Sequence, residues 1–207
     1  LPAIVTIALA LGVQRMSQRR AIIRQLPAVE TLGCVSVICA DKTGTLTANA
    51  LSVRSLYLQG KKITVSGEGY NPVGDFYQGE QKINPSRDSG LDLALKIGVL
   101  CNKAELTKKE QRFGWQKQWE GTGDPTEVAL LALGGKGGIW RGGVFKDGYK
   151  ILSERPFDSN RKMMSVLCRT RGGEVLTFTK GAPEVVLGHC QRIYDHGRLL
   201  PLDPKGQ

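Results

Sequence analysis

The sequence has no Cys-x-x-Cys pair, no run of Lys or Arg longer than two residues, no internal repeat and few aromatic residues. Each absence excludes or disfavours a class of protein. Five cysteines without paired spacing signal neither a disulfide framework nor a cysteine-based zinc site. Reduced thiols in a cytosolic setting are the expectation. The net charge of +10 suits an anionic partner, whether a nucleotide, a lipid surface or a nucleic acid. Aromatics at 6% and the lack of a dense basic run weaken the nucleic-acid reading, which wants a charged patch or a stacking platform and is left supported by charge alone. Long apolar runs are missing too. The longest, Leu1 to Val13, falls short of the roughly 20 residues that cross a bilayer. Its basic residues Arg15, Arg19 and Arg20 follow the run, the wrong order for a signal peptide. Two readings of it stay open: a buried core helix, or the last turns of a membrane helix entering a basic cytoplasmic stalk. Gly is abundant at 26 residues but without period, which excludes collagen and simple linkers.

What is present is a globular composition. With 207 residues, 41% hydrophobic and 23% charged, the chain can bury the core of one large domain or two small ones. Residues 3–24 have helical composition, with Pro27 beyond the expected end. Val35 to Ala40 is a short apolar run that predicts a buried parallel strand. Further on, strands are expected at 53–58 and 61–65 around a Gln59-Gly60 hairpin, then a loop over 66–90. A helix follows over 91–101, capped by Asp88 or Ser89. Residues 103–120 read as loop or exposed strand, and a second helix over 124–133 is expected to end at Gly134-Gly135. Strands at 149–154, 163–169 and 174–179, a short helix from Pro183, and a turn at Asp195-His196-Gly197 complete the pattern. One buried strand is thus followed by a mostly antiparallel α+β region, with a boundary near residue 50.

Asp41 closes the apolar run and opens Asp41-Lys42-Thr43-Gly44-Thr45-Leu46-Thr47. The C-terminal end of a buried strand is where open α/β sheets hold ligands. The small residues after it let backbone N–H groups approach a phosphate. A carboxylate there can attack a phosphoryl group and form an aspartyl phosphate. Lys42, Thr43 and Thr45 can offset the charge on the transferring oxygens. The alternative is a plain turn that Asp41 initiates, with Gly44 supplying a positive φ.

The seven-residue string resembles the phosphorylation signature of P-type ATPases, the membrane cation pumps. Further strings agree with it in the family's order: Asp124-Pro125-Thr126-Glu127-Val128-Ala129-Leu130, Phe157 with Arg161-Lys162-Met163-Met164-Ser165, and Lys180-Gly181-Ala182-Pro183-Glu184. Leu1-Pro2-Ala3 and Val29 to Gly33 look like the link from the fourth membrane helix, in the style of the type II, calcium-pump-like group. The resemblance implies a fold class that is α/β and α+β. A haloacid dehalogenase-like Rossmann phosphorylation domain would begin the chain, and a mostly antiparallel-sheet nucleotide-binding domain with flanking helices would follow. It divides the chain into a membrane-helix end and stalk at 1–26, a first phosphorylation-domain segment at 27–50 and a C-terminally incomplete nucleotide-binding domain at 51–207.

Residue roles follow from the same resemblance. Asp41 would be the phosphorylated nucleophile, with Lys42 and Thr43 beside it, and Asp41 and Thr43 would serve magnesium. Phe157 would stack on adenine, Glu127 would meet its amino edge, and Lys180 would line the nucleotide pocket beside Gly181. Glu127 also fits a capping box with Asp124, and Phe157 also fits a plain core position. Calcium pumps often carry an Arg where Ser159 stands, which leaves Arg161 and Lys162 as substitutes for a phosphate contact. Thr43 occupies the position where related phosphatases carry a second Asp as general acid/base, so a long-lived phosphoenzyme is expected rather than a phosphatase. The implied cofactors are ATP and Mg. The implied partner is the remainder of a pump in the cell membrane, with this part facing the cytoplasm. The alternatives are a nucleotide-binding module without chemistry, or a haloacid dehalogenase-like phosphatase.

Overall fold

The computed structural model describes residues 2–42, 46–47, 50–109, 118–195 and 197–202. The chain forms two compact units, Leu1–Ala48 and Asn49–Gln207. The first contains helices α1 (Pro2–Gln18) and α2 (Pro27–Cys34). No residue of α1 is buried, so within this unit it is not a core helix. It stops at Gln18, earlier than composition suggests, and Arg20 takes a left-handed φ of 63° that a helix cannot continue through. Pro27 lies in the first turn of α2, where its missing N–H costs nothing. No helix among the described residues is long and apolar enough to cross a membrane.

The parallel strand expected at 35–40 is absent; those residues are exposed and take neither helix nor strand. A buried parallel strand needs neighbours to pair its backbone and cover both faces. Among the described residues the first unit offers only helices, so the apolar run has no ladder to join.

The second unit is helix and antiparallel sheet. Strands β1 (Ser55–Leu58), β2 (Lys61–Val65), β3 (Phe76–Gln78) and β4 (Gln81–Ile83) form one sheet in that order. Gln59 and Gly60 join the first pair with φ of 52° and 73°, the double positive φ that a two-residue hairpin favours. The expected loop at 66–90 thus hides the β3–β4 hairpin, whose three-residue strands are too short to show alternation. After a 3-10 turn at Pro85–Arg87, helix α3 (Ser89–Leu100) begins at Asp88, whose side chain accepts from the N–H groups of Gly90 and Leu91. Strands β5 (Glu105–Lys109) and β6 (Gln118–Thr122) pair, and helices α4 (Pro125–Lys136) and α5 (Arg141–Lys146) follow. Strands β7 (Lys150–Asp158), β8 (Met163–Arg169) and β9 (Val175–Gly181) make the second sheet. Helix α6 (Pro183–Gly188) and the hairpin β10 (Arg192–Asp195) and β11 (Arg198–Pro201) end the described chain.

Helix α3 is the spine of this unit. Its Leu91 and Leu95 enter a cluster with Ile63, Val65 and Phe76 of the first sheet. Val99, one turn on, packs with Val128 and Leu131 of α4. Leu100, with Cys101 beyond it, joins Met164, Val166, Cys168 and Phe178 of the second sheet. The 91, 95, 99 spacing is one helix face, and Leu100 turns the neighbouring face to another layer. Helix α4 runs through Gly134-Gly135 instead of ending there. A Cβ on Gly134 would meet Val99 Cγ2 at 2.3 Å, and one on Gly135 would meet Pro72 and the Trp140 ring below 3 Å. Both glycines therefore allow close packing and do not break the helix.

Candidate functional site

The sequence-predicted residues of the second unit meet at one end of the β7–β8–β9 sheet. Arg155 pairs with Ser165 and Asp158 with Met163, so Pro156 and Phe157 together oppose the single residue Met164. This is a β-bulge on an edge strand, where Pro156 removes no needed ladder bond. Bulges re-aim side chains, and Phe157 is 59% exposed here. Its core-packing alternative is thereby excluded. On the other side of β8, Met164 pairs with Lys180 and Met163 with Gly181. Phe157, Met164 and Lys180 thus occupy one row across the sheet.

The Asp158 side chain closes the β7–β8 turn by accepting from the N–H groups of Asn160 and Arg161, each at 2.9 Å. Lys162 follows with a φ of 51°, and its side chain is exposed. Its carbonyl accepts from the Ala182 N–H at 2.9 Å. That approach explains Gly181: a Cβ there would sit 2.5 Å from the Lys162 carbonyl oxygen. Arg161, half-buried, donates to the Met163 carbonyl at 3.0 Å. Of the two substitutes for the Arg missing at Ser159, Lys162 is therefore the accessible one.

Lys180 reaches from the sheet to the first turn of α4. Its Nζ lies 2.7 Å from Glu127 Oε1, and both side chains are largely covered. Asp124 caps α4 by accepting from the N–H groups of Thr126 and Glu127. Glu127 occupies the third helical position, but Oε2 accepts from the backbone N–H groups of Lys103 at 2.8 Å and Ala104 at 3.1 Å, across to the segment between α3 and β5. It ties two elements together and anchors Lys180. Burial by itself pushes the Glu127 carboxyl up. The Lys180 ammonium and the two N–H groups outweigh it and bring the value below a glutamate's ordinary 4.5. Nearby, the Lys103 ammonium pairs with Glu154 of β7 at 2.9 Å.

A lowered folded-state value fixes the sign of the pH dependence. The stability that Glu127 contributes is complete above about pH 4.5 and is lost as pH falls below that, through the folded value. Glu127→Gln should cost about 1–3 kcal/mol at pH 7, the range for groups left poorly paired. The difference between wild type and variant should shrink as urea unfolding is repeated from pH 5 to pH 3. A constant difference over that range would detach the stabilisation from the carboxylate.

Asp41 and Lys42 lie in the first unit and are exposed; Asp41 is outside regular structure and Lys42 is in a π-helical turn. Thr43 lies outside the described residues. The sequence reading missed Asn102, Lys103 and Ala104, which hold Glu127 from the far side. The available signal was a polar Asn directly after an apolar helical stripe, where side chains satisfy terminal carbonyls.

The sequence family described as P-type ATPase, cytoplasmic domain N, matches residues 90–207. The chain is 44% identical to a calcium-transporting ATPase of Bacillus subtilis over 95% of its length, and 21% of that relative is covered. It is 41% identical to the cation-transporting ATPase pma1 of Synechocystis, covering 98% of the chain and 22% of the relative. For the calcium-transporting ATPase type 2C member 1 of Bos taurus the identity is 38%, over 98% of the chain and 20% of the relative. The chain spans about a fifth of the length of these relatives.

Proposed function

The chain belongs to the P-type ATPases, and from that premise we propose that it is the nucleotide-binding and phosphorylated part of an ATP-driven cation pump. The observation that carries the reading is the sheet end that holds exposed Phe157 on β7, Lys162 in the β7–β8 turn and, across Met164, Lys180 on β9. An open aromatic face takes any base by stacking, and cations beside it take the attached phosphates. The base would rest on Phe157. Lys162 and Lys180 would face the phosphates, and Glu127 would hold the Lys180 ammonium in place.

Asp41 is the nucleophile. One carboxylate oxygen bonds to the γ-phosphorus, the bond from that phosphorus to the β–γ bridging oxygen breaks, and ADP leaves with the electron pair. Lys42 offsets charge on the transferring oxygens. Magnesium, when bound, neutralises phosphate charge. It takes hard oxygens and shares them with substrate phosphates, and Asp41 is an exposed carboxylate of that chemistry. The Thr43 carbonyl would be a second ligand. Among the described residues no cluster of three or more His, Cys, Asp or Glu could hold the ion without phosphate oxygens. The first unit would be the opening segment of a haloacid dehalogenase-like Rossmann domain, α1 the end of a membrane helix, and both units would face the cytoplasm. Calcium is the proposed ion, because relatives from a bacterium and a mammal carry it in their names.

Displacement of a fluorescent ATP analogue from the 207-residue chain tests the binding reading. ATP should displace the analogue, and a single-stranded oligonucleotide of equal charge should not. Displacement by the oligonucleotide but not by ATP would move the site to nucleic acid.

A further inference from the structure

Asn102 is the polar side chain that the described part of the chain buries, at 4% exposure. It sits directly after the C-terminal end of α3 and spends every bonding group. Its Nδ2 donates to the Gly98 carbonyl at 3.1 Å and to the Glu127 carbonyl at 2.8 Å. Its Oδ1 accepts from the Ala104 N–H at 2.9 Å. An amide offers two donor hydrogens and an acceptor oxygen, and these three partners fix its orientation, since the flipped amide would face both carbonyls with its oxygen. The Ala104 N–H is shared, because Glu127 Oε2 also accepts from it at 3.1 Å. The carbonyl of Asn102 accepts in turn from the Arg141 guanidinium, whose Nε donates to the Val99 carbonyl.

Asn102 therefore grips Glu127 from two directions, through its backbone carbonyl and through the N–H on which its carboxylate rests. The carboxylate's other oxygen holds Lys180 at 2.7 Å. We propose that Asn102 is a positioning residue for the nucleotide site: it sets Glu127, and through Glu127 the place of the Lys180 ammonium. The proposal rests on the nucleotide-site reading above for its functional consequence, but its geometry stands apart from that reading. Asn102 touches no nucleotide and acts only through the pair. Of the two carbonyls it serves, that of Glu127 keeps its ladder bond within α4, whereas that of Gly98 lies in the last turn of α3, where the helix supplies no donor and the Asn102 side chain does. Removing the Asn side chain should therefore fray the end of α3 locally and loosen the Glu127–Lys180 pair.

The test compares wild type with Asn102→Val, close to Asn in bulk but without polar groups, and with Val99→Ala, which thins the adjacent core and leaves these bonds in place. In wild type the Asn102 side-chain amide protons should exchange slowly with solvent; exchange at the free rate overturns the proposal. Carbon-13 titration of the Glu127 carboxyl should shift upward in Asn102→Val and stay put in Val99→Ala. An unmoved Glu127 in Asn102→Val, or an equal shift in both variants, overturns it too. ATP affinity should fall about 2- to 10-fold in Asn102→Val, the value of one ordinary hydrogen bond, and AMP affinity should fall less. Equal loss for both nucleotides would reduce Asn102 to general packing. Asn102→Ser supplies the same comparison if the Val variant does not fold. Should wild type bind no adenine nucleotide, the nucleotide reading fails while amide exchange and the Glu127 titration still decide the role of Asn102.

Discussion

On the proposed reading, Asp41→Asn in the full-length protein should reduce transfer of the γ-phosphoryl group from ATP to protein by at least about 10⁴-fold, the scale of removing a covalent nucleophile. The amide has the same shape but lacks the anionic oxygen pair that must form the new bond to phosphorus. ATP binding should survive. The candidates for binding the base lie in the second compact unit, on a different part of the chain from Asp41. Replacing an anion by a neutral amide also removes a repulsion toward the triphosphate, so affinity should hold or rise slightly. Acid-stable labelling from γ-labelled ATP measures the first effect and equilibrium nucleotide binding the second. Loss of both together would show that base binding and phosphorylation share one site.

The local signals for the second unit were strong where one residue type could satisfy only one geometry. Gln59-Gly60 permits the positive φ pair of a tight hairpin, and Asp88 and Asp124 stand directly before apolar helical stripes and cap them. The limits also have physical causes. Gly134-Gly135 looked like a helix stop because glycine lowers helix propensity, yet packing against Val99, Pro72 and Trp140 outweighs propensity inside a core. Val35 to Ala40 looked like a strand because of its apolar β-rich composition, and no single segment encodes the neighbours that a parallel strand requires.

The site divides the same way. Phe157, Lys180 and Glu127 could be picked out through their motifs, but the pairing of Glu127 with Lys180 spans 53 residues and no local pattern announces it. Position suggested that Glu127 would close a capping box on its own helix. Tertiary structure instead offers it the N–H groups of Lys103 and Ala104, and these two donors with Lys180 complete its coordination. The bulge at Pro156-Phe157 was equally silent, since an extra residue in one strand is visible only against the register of its partner.

Phe157→Ala should weaken binding of AMP, ADP and ATP alike, by about 1–3 kcal/mol, the range for base–aromatic stacking. That is about 5- to 150-fold in affinity. The three nucleotides share the base, and Phe157 is exposed on an edge-strand bulge, so its removal should leave the core intact. Lys180→Ala should behave differently. Its ammonium would meet phosphates, so the loss should grow from AMP to ATP. The same substitution strips the partner from the largely covered Glu127 carboxylate and leaves a bare negative charge facing the phosphates. Both changes repel the nucleotide in proportion to its charge. Raising salt should shrink the loss, though incompletely, because screening acts less on covered groups than on exposed ones. Titrating the three nucleotides against wild type and both variants at two salt concentrations separates the roles. Equal losses for every nucleotide in Lys180→Ala would move Lys180 from the phosphates to the base. Unchanged affinity in Phe157→Ala, with circular dichroism matching wild type, would remove the base from Phe157 and leave the charged pair as the whole of the site.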